Sequence, residues 1–366
     1  MNFVTTKEAL LKPLQQVAGV IERRQTLPVL ANVLVVANDQ GVQLTGTDLE
    51  VEMTASLSMD VHAPGSVTVP ARKLLEIWRQ LPDSGQVSVA VEGDQVVVRA
   101  GRFRSALSTL PVTDYPKPEL TVPEISVEVG PKALRKLLDQ TAFAMAQQDV
   151  RFFLNGMLLE FGSGYLRSVA TDGHRLALAN VSASVTVGTL KQIIVPRKGV
   201  SELIRLLGEV EQEFVRVEVG SSHLRLELAE LSFSTKLIDG RFPDYDRVIP
   251  RGGDHVALGE RIEFAQVLGR ISIFSNEKYR AARLRFSPGV VMLSANNAEH
   301  ESAEESCDVE FDGESTEAGF NSGYLQDVMG ALSGRRVRFT LHLNGSAVIE
   351  DPDVEDALYV IMPMKL

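Results

Sequence analysis

The chain has 366 residues, 44% apolar and 23% charged, which fits two or three globular domains. Its mean hydropathy lies near zero, and no run of about 18 apolar residues is present, so no transmembrane helix is expected. The formal net charge of −11 argues, taken alone, against nucleic acid as a partner, and the single Cys307 excludes an intrachain disulfide or a thiolate metal cluster.

Taken in order, the opening MNFVTTKEALLKP lacks the apolar core and small-residue cleavage site of a signal peptide, so a reduced, cytoplasmic protein is expected. An amphipathic helix is predicted over Thr6 to Ala18. The stretch Asn32 to Met53 then reads as strand, turn, strand, turn, strand. In its last strand Val51, Met53 and Ala55 alternate with Glu50, Glu52 and Thr54, the period of a half-buried antiparallel strand. A second helix, Val69 to Pro82, is followed by the hairpin VSVAVEGDQVVVRAG.

Beyond the Pro- and Asp-rich linker Pro111 to Pro123, the same plan returns. It has a helix over Pro131 to Met145, three strands over Asn155 to Leu178, a helix over Val195 to Gly208, and the hairpin VRVEVGSSHLRLELA. After a second linker, Phe242 to Asp254, a third copy follows. Its helix spans Glu260 to Phe274, its strands Ala282 to Glu304, and its second helix Phe320 to Gly334. A hairpin turning at Asn344-Gly345 closes it.

Two landmarks keep step. Asp48, Asp172 and Asn297 recur 124 and then 125 residues apart, and VPARK at Val69 recurs as VPRKG 126 residues later. Coincidental likeness among β-rich segments would not hold two independent series in register. The expected class is therefore α+β: three repeated domains, 1–122, 123–252 and 253–366, each made of two helix-plus-antiparallel-strand halves.

Charge is unevenly spread. The six predicted helices carry +1, +2, +2, +2, 0 and −1, together +6, which leaves −17 for the rest of the chain. Lys and Arg suit solvated helices in general, but Glu suits them equally and is scarce here. Basic helices on an acidic protein point to two faces of opposite sign, one able to meet phosphates without gripping them. No base-reading motif is apparent, and with one Trp and 6% aromatics a base-stacking platform has little support.

The stretch Thr171-Asp172-Gly173-His174-Arg175 looks like catalytic apparatus, with His174 as base and Asp172 as its orienting carboxylate. Against this, there is no nucleophile elbow, Walker loop, dinucleotide fingerprint or His-Glu-x-x-His. Ser275-Asn276-Glu277-Lys278 matches Ser-x-x-Lys without its companion motifs, and the six histidines lack ligand spacing. Neither an enzyme nor a cofactor or metal is expected. The counterparts Thr47-Asp48-Leu49-Glu50 and Asn296-Asn297-Ala298-Glu299 have no histidine or arginine, so the aspartate reads as turn scaffold. Gly173, His174 and Arg175 read as the specialised part. The apolar end Tyr359-Val360-Ile361-Met362-Pro363-Met364-Lys365-Leu366 suggests an adaptable surface for varied partners, although a final core strand accounts for Tyr359 to Ile361, if less well for the last five residues.

LLKPLQQV, TLPVLANVLV, LTGTDLE, VPARK, QDVRFFLNGM, ATDGHRLA, VPRKGV, KLIDGRFPDY, ISIFSNEKYR and VIMPMKL, spread over the whole chain, resemble the bacterial DNA polymerase III β subunits, the sliding clamps that serve as processivity factors. The resemblance implies a head-to-tail homodimer closing into a ring of six DNA-clamp domains, with twelve helices lining the hole. Twelve helices each about 10 Å across give a circumference near 120 Å and a hole of roughly 35–40 Å, room for hydrated duplex.

It further implies sequence-independent contact with double-stranded DNA through Arg24, Arg72, Lys73, Gln148, Arg197 and Lys198. A dimer contact would set Leu107 against Ile273 and Phe274, with Ser105 departing from the larger apolar residue often found there. A pocket for short Gln- and Leu/Phe-containing peptides is implied at Leu154, Thr171, Gly173, His174, Arg175, Leu176, Pro243, Arg247, Val248, Ser346, Val360, Ile361, Met362, Pro363, Met364, Lys365 and Leu366. Its partners would be the polymerase III α subunit, the clamp loader δ subunit, repair polymerases, ligase and mismatch-repair proteins, with no membrane involved. Two alternatives stay open on the residues themselves: a hydrolase using His174 and Asp172, and a monomeric, non-specific duplex-binding protein.

Overall fold

The computed structural model describes residues 1–366 apart from 23–25, 118–121, 185–189, 254, 277 and 366. Strand β1 (Asn2–Thr6) leads into helix α1 (Lys7–Gly19), whose first turn is capped by the Thr6 hydroxyl accepting from the Ala9 amide. Strands β2 (Asn32–Asn38), β3 (Gly41–Thr47), β4 (Val51–Leu57), β5 (Val61–Ala63) and β6 (Gly65–Pro70) precede α2 (Ala71–Gln80). Strands β7 (Gln86–Glu92), β8 (Gln95–Ala100) and β9 (Phe103–Ser108) end the first repeat.

The second repeat has β10 (Ile125–Val129), α3 (Pro131–Ala142), β11 (Gly156–Gly162), β12 (Tyr165–Thr171) and β13 (Arg175–Ser182). It continues with β14 (Lys191–Pro196), α4 (Arg197–Leu207), β15 (Val215–Val219), β16 (His223–Glu227) and β17 (Leu231–Lys236). The third has β18 (His255–Glu260), α5 (Arg261–Ser272), β19 (Ala281–Ser287), β20 (Val290–Asn296), β21 (Ser302–Glu310) and β22 (Thr316–Asn321). Helix α6 (Ser322–Ala331) and strands β23 (Arg336–Leu341), β24 (Ala347–Glu350) and β25 (Ala357–Ile361) complete it. All six predicted helices are present; α1 is shifted by one residue, and the other five are a few residues shorter than the periodic pattern allows.

Apolar spacing explains the helices. In α2, Ala71, Leu74 and Trp78 are buried while Arg72, Lys73 and Arg79 face solvent. In α4 the buried stripe is Val200, Leu203, Leu206 and Leu207. Within each repeat the two helices pack side by side, α1 on α2, α3 on α4 and α5 on α6. The first helix of each pair also lies on strands: α1 on β3 and β4, α3 on β12 and β13, α5 on β20 and β21.

Strand pairing cuts across the repeats, because antiparallel strands at a sheet edge bury their unpaired amides best against another edge. Residues 1–129 and 212–237 form one compact unit, with sheets β5-β1-β7-β8-β9 and β10-β15-β16-β17-β4-β3-β2-β6. Residues 130–211 and 238–366 form a second, built on the twelve-stranded sheet β14-β11-β12-β13-β25-β24-β23-β18-β21-β20-β19-β22. The second repeat thus shares its strands between the two units: β17 pairs with β4 in the first, and β13 with β25 in the second.

Candidate functional site

The Thr171–Arg175 segment is a tight turn joining β12 to β13. The Asp172 carboxylate accepts hydrogen bonds from the amides of His174 at 2.9 Å and Arg175 at 3.0 Å, and from the Arg175 Nε at 3.1 Å. The Thr171 hydroxyl donates to the Arg175 carbonyl at 2.6 Å and accepts from the Gly173 amide at 3.1 Å.

The first repeat carries the same turn. Asp48 accepts from the amides of Glu50 and Val51, and Thr47 bonds the Val51 carbonyl and the Leu49 amide. Leu49 sits there at φ 78, matching Gly173 at φ 90. The left-handed backbone alone therefore does not demand glycine at 173. A Cβ at 173 would stand 3.1 Å from the Arg151 guanidinium, whose Nη2 donates to the Asp172 carbonyl, so a larger residue there would press that side chain aside. The Asp149 carboxylate holds that guanidinium, and this hydrogen bonding lowers the Asp149 pKa to about 2.

With both its oxygens committed to the turn and Arg175, Asp172 is not oriented as a partner for an imidazole, and His174 lies exposed. Among the described residues no cluster of His, Cys, Asp and Glu is arranged to hold a metal ion.

Arg175 begins β13 with a side chain only 11% exposed. Its guanidinium donates to the Phe143 carbonyl at 2.6 Å, pairs with Asp327 of α6, and stacks over the Tyr324 ring, 4.2 Å from its centroid. This leaves its stem free to form a wall.

The wall belongs to a cavity of about 200 Å³, lined by Arg151, Leu154, Thr171, Gly173, Arg175, Leu176, Pro243, Tyr245, Val248, Val360 and Met362. Its floor is the core cluster containing Leu154, Leu176, Tyr245 and Val360. Strand β25 reaches it because Leu176 pairs with Val360 and Arg175 with Ile361, and the Met362 amide continues the ladder to the His174 carbonyl at 2.9 Å.

Known proteins match the chain along its whole length. Profiles of the DNA polymerase III beta subunit match residues 1–120 as its N-terminal domain, 128–244 as its central domain and 246–365 as its C-terminal domain. The chain belongs to the DNA polymerase III beta subunit family. The beta sliding clamp of Pseudomonas aeruginosa is 50% identical over 368 residues, covering all of both chains. A crystal structure of the DNA polymerase III subunit beta from that organism superposes with a TM-score of 0.97 over the full length of both, and one of that organism's sliding clamp bound to griselimycin with 0.95. Three repeated clamp domains of mixed helix and antiparallel sheet are thus the fold of this family member.

Of the residues expected at a peptide pocket, Leu154, Thr171, Gly173, Arg175, Leu176, Pro243, Val248, Val360 and Met362 line the cavity together. His174, Arg247, Pro363, Met364 and Lys365 lie near it in sequence but outside its lining, and Leu366 is outside the described residues. Ser346 and Ile361 are fully buried: Ser346 bonds Asn344 in the hairpin turn, and Ile361 pairs in the sheet with Arg175 on one side and Ala347 on the other.

Arg151 and Tyr245 complete the cavity without having been foreseen. Tyr245 ends the segment KLIDGRFPDY, flanked by Asp244 and Asp246, and an aromatic in so polar a stretch is the signal it offers.

Of the residues expected to face DNA, Arg72 and Lys73 are exposed in the first turn of α2. Arg197 and Lys198 occupy the same turn of α4, with Arg197 donating to the Met145 carbonyl at 2.9 Å. Gln148 is exposed at φ 55, and Arg24 is outside the described residues. Leu107 is buried on β9, the terminal strand of its sheet, while Ile273, just past α5, is 75% exposed and Phe274 half-buried.

If the turn is scaffold, Asp172→Ala destabilises the protein by about 1–3 kcal/mol, since two backbone amides and a guanidinium lose their acceptor. His174→Ala is expected to stay within about 0.5 kcal/mol of the parent. Urea unfolding of the two variants checks this, and a reversed order would remove the scaffold role.

Proposed function

We propose that two copies of this sliding clamp close head to tail into a ring around duplex DNA and tether the replicative polymerase and other DNA-processing proteins to it. The three modules are residues 1–122, 123–252 and 253–366, six of them per ring. Contacts of Leu107 with the partner's Ile273 and Phe274 would close it. Leu107 lies on a strand that ends its sheet, a place where another chain can add.

The observation that carries the DNA reading is where the cations sit. Arg72 and Lys73, Lys132, and Arg197 and Lys198 all occupy first helical turns. There they oppose the helix dipole at a cost of a few tenths of a kcal/mol. Helix stability therefore does not explain them, whereas a phosphate drawn to helix N-termini does. Few contacts per helix keep the grip weak, so topology rather than affinity would hold the clamp on DNA while it slides, keeping a bound polymerase at high effective concentration.

The cavity beside Thr171–Leu176 would take short Gln- and Leu/Phe-containing segments of the polymerase III α subunit, the clamp loader δ subunit, repair polymerases, ligase and mismatch-repair proteins. Its apolar lining and the adaptable Met362 suit several such sequences. That a clamp of Pseudomonas aeruginosa has been crystallised with griselimycin is in keeping with a ligand-accepting surface in this family. No helix among the described residues is long and apolar enough to cross a membrane. The protein would work in the cytoplasm, without catalysis of its own.

Two outcomes are expected. Loaded on a nicked circular plasmid, the protein stays bound through gel filtration at high salt and is lost once the circle is linearised. Salt-dependent loss from both forms alike would instead favour the monomeric duplex binder. Deleting Met362 to Leu366 abolishes binding of a labelled peptide, read by fluorescence anisotropy, yet leaves the dimer intact by light scattering. A truncated protein that still binds would refute the pocket assignment.

A further inference from the structure

One wall of the cavity is not a regular element. Pro243, Tyr245 and Val248 belong to the connection between β17 and β18, where a single helical turn spans Tyr245–Arg247. Pro243 has no amide to donate, and the Val248 and Ile249 amides bond back to the Tyr245 carbonyl, so among the described residues local backbone bonding does little to fix this wall to the sheet.

The Tyr245 side chain does fix it. Tyr245 is 6% exposed and packs in the cluster with Leu154, Leu176 and Val360. Its hydroxyl donates to the Glu160 carboxylate at 2.7 Å and accepts from the Arg167 Nη1 at 2.9 Å.

Those two residues are the middle of a polar row across four strands. Gln192 of β14 is paired in register with Glu160 of β11, Glu160 with Arg167 of β12, and Arg167 with Asn180 of β13. Each step is bonded: the Gln192 amide donates to Glu160 at 2.5 Å, Arg167 lies 3.5 Å from Glu160, and the Arg167 Nε donates to Asn180 at 2.7 Å. Glu160 is 2% exposed, and a carboxylate so buried is tolerated only with partners of this kind. Burial also raises the Tyr245 phenol above its ordinary pKa, so it remains a donor at any physiological pH.

We infer that Tyr245 is a positioning residue for partner binding. The row Gln192-Glu160-Arg167-Asn180 locks its hydroxyl and so presents Pro243 and Val248 as a preformed wall. The inference rests on the reading of the cavity as a peptide pocket. Without the hydroxyl the ring still fills the core, but the connection samples other positions, and apparent affinity falls by the fraction of time the wall is in place.

The test is a double-mutant cycle on the full chain with a short fluorescent peptide carrying Gln, Leu and Phe. Tyr245→Phe keeps the ring and leaves Glu160 paired with Arg167 and Gln192, so the fold survives. It should weaken the peptide about three- to tenfold, as the loss of one buried hydrogen bond permits. Val248→Ala should cost clearly less when combined with Tyr245→Phe than in the parent, because the wall it belongs to has already come loose.

A purely structural hydroxyl would lower the melting temperature and leave the Val248→Ala cost unchanged. Such additivity, or a Tyr245→Phe affinity equal to the parent, overturns the inference while leaving the pocket standing. A parent protein that does not bind the peptide at all overturns both.

Discussion

The pairing of β13 with β25 is the constraint on which the site depends. Five residue pairs, from Arg175–Ile361 to Ala179–Ala357, join a strand of the second repeat to the last strand of the third. Both ends of the seam are extended by backbone bonds, the Met362 amide to the His174 carbonyl and the Asn180 amide to the Asp356 carbonyl. Without that seam β13 would be an open edge, and Leu176 would have no Val360 beside it to make a floor. Because side chains alternate along a strand, a one-residue slip would turn Val360 to the opposite face and bring Ile361 into the hollow. The hollow is thus a product of sheet register, and its surrounding turns and connections are secured to that register one by one.

Arg175 shows how. Its carboxylate partner Asp172 belongs to a turn whose hydrogen bonds are duplicated at Asp48, where no residue of the cavity lies, so the turn itself is scaffold. The guanidinium then reaches α3 through the Phe143 carbonyl and α6 through Asp327 and Tyr324. A charge so little exposed is acceptable because each of its three guanidinium nitrogens donates to an acceptor, two of them carboxylates. The result is a rigid stem at the rim, bound on its far side to both helices. Asp149, Arg151 and Gly173 do the same on the neighbouring rim, where the missing Cβ admits a guanidinium.

Much of the fold was legible in the sequence. Strand alternation, the stripe Ala71, Leu74 and Trp78, and the recurrence of Asp48 and Asp172 are all local, and local patterns specify local elements. The division of the second repeat between two compact units was not legible, because nothing in β17 or β13 names β4 or β25 as its neighbour. The same limit hid Tyr245, whose hydroxyl is held by a row of residues on four strands between positions 160 and 192. The charge count on the helices also needed correction by geometry. Lys7 is engaged by Asp83, Lys136 by Asp356 and Arg205 by Glu202, whereas Arg72 and Lys73 stand exposed in the first turn of α2.

What unites these features is the proposal that partners would dock in a register-built hollow and not at the Asp172–His174 pair. Hydrogen exchange with and without a polymerase-derived peptide tests this most directly. Slowed exchange confined to residues 171–176, 243–248 and 360–364 is the expected result. Protection that appears instead along α2 and α4, or none at any of the three segments, would contradict it.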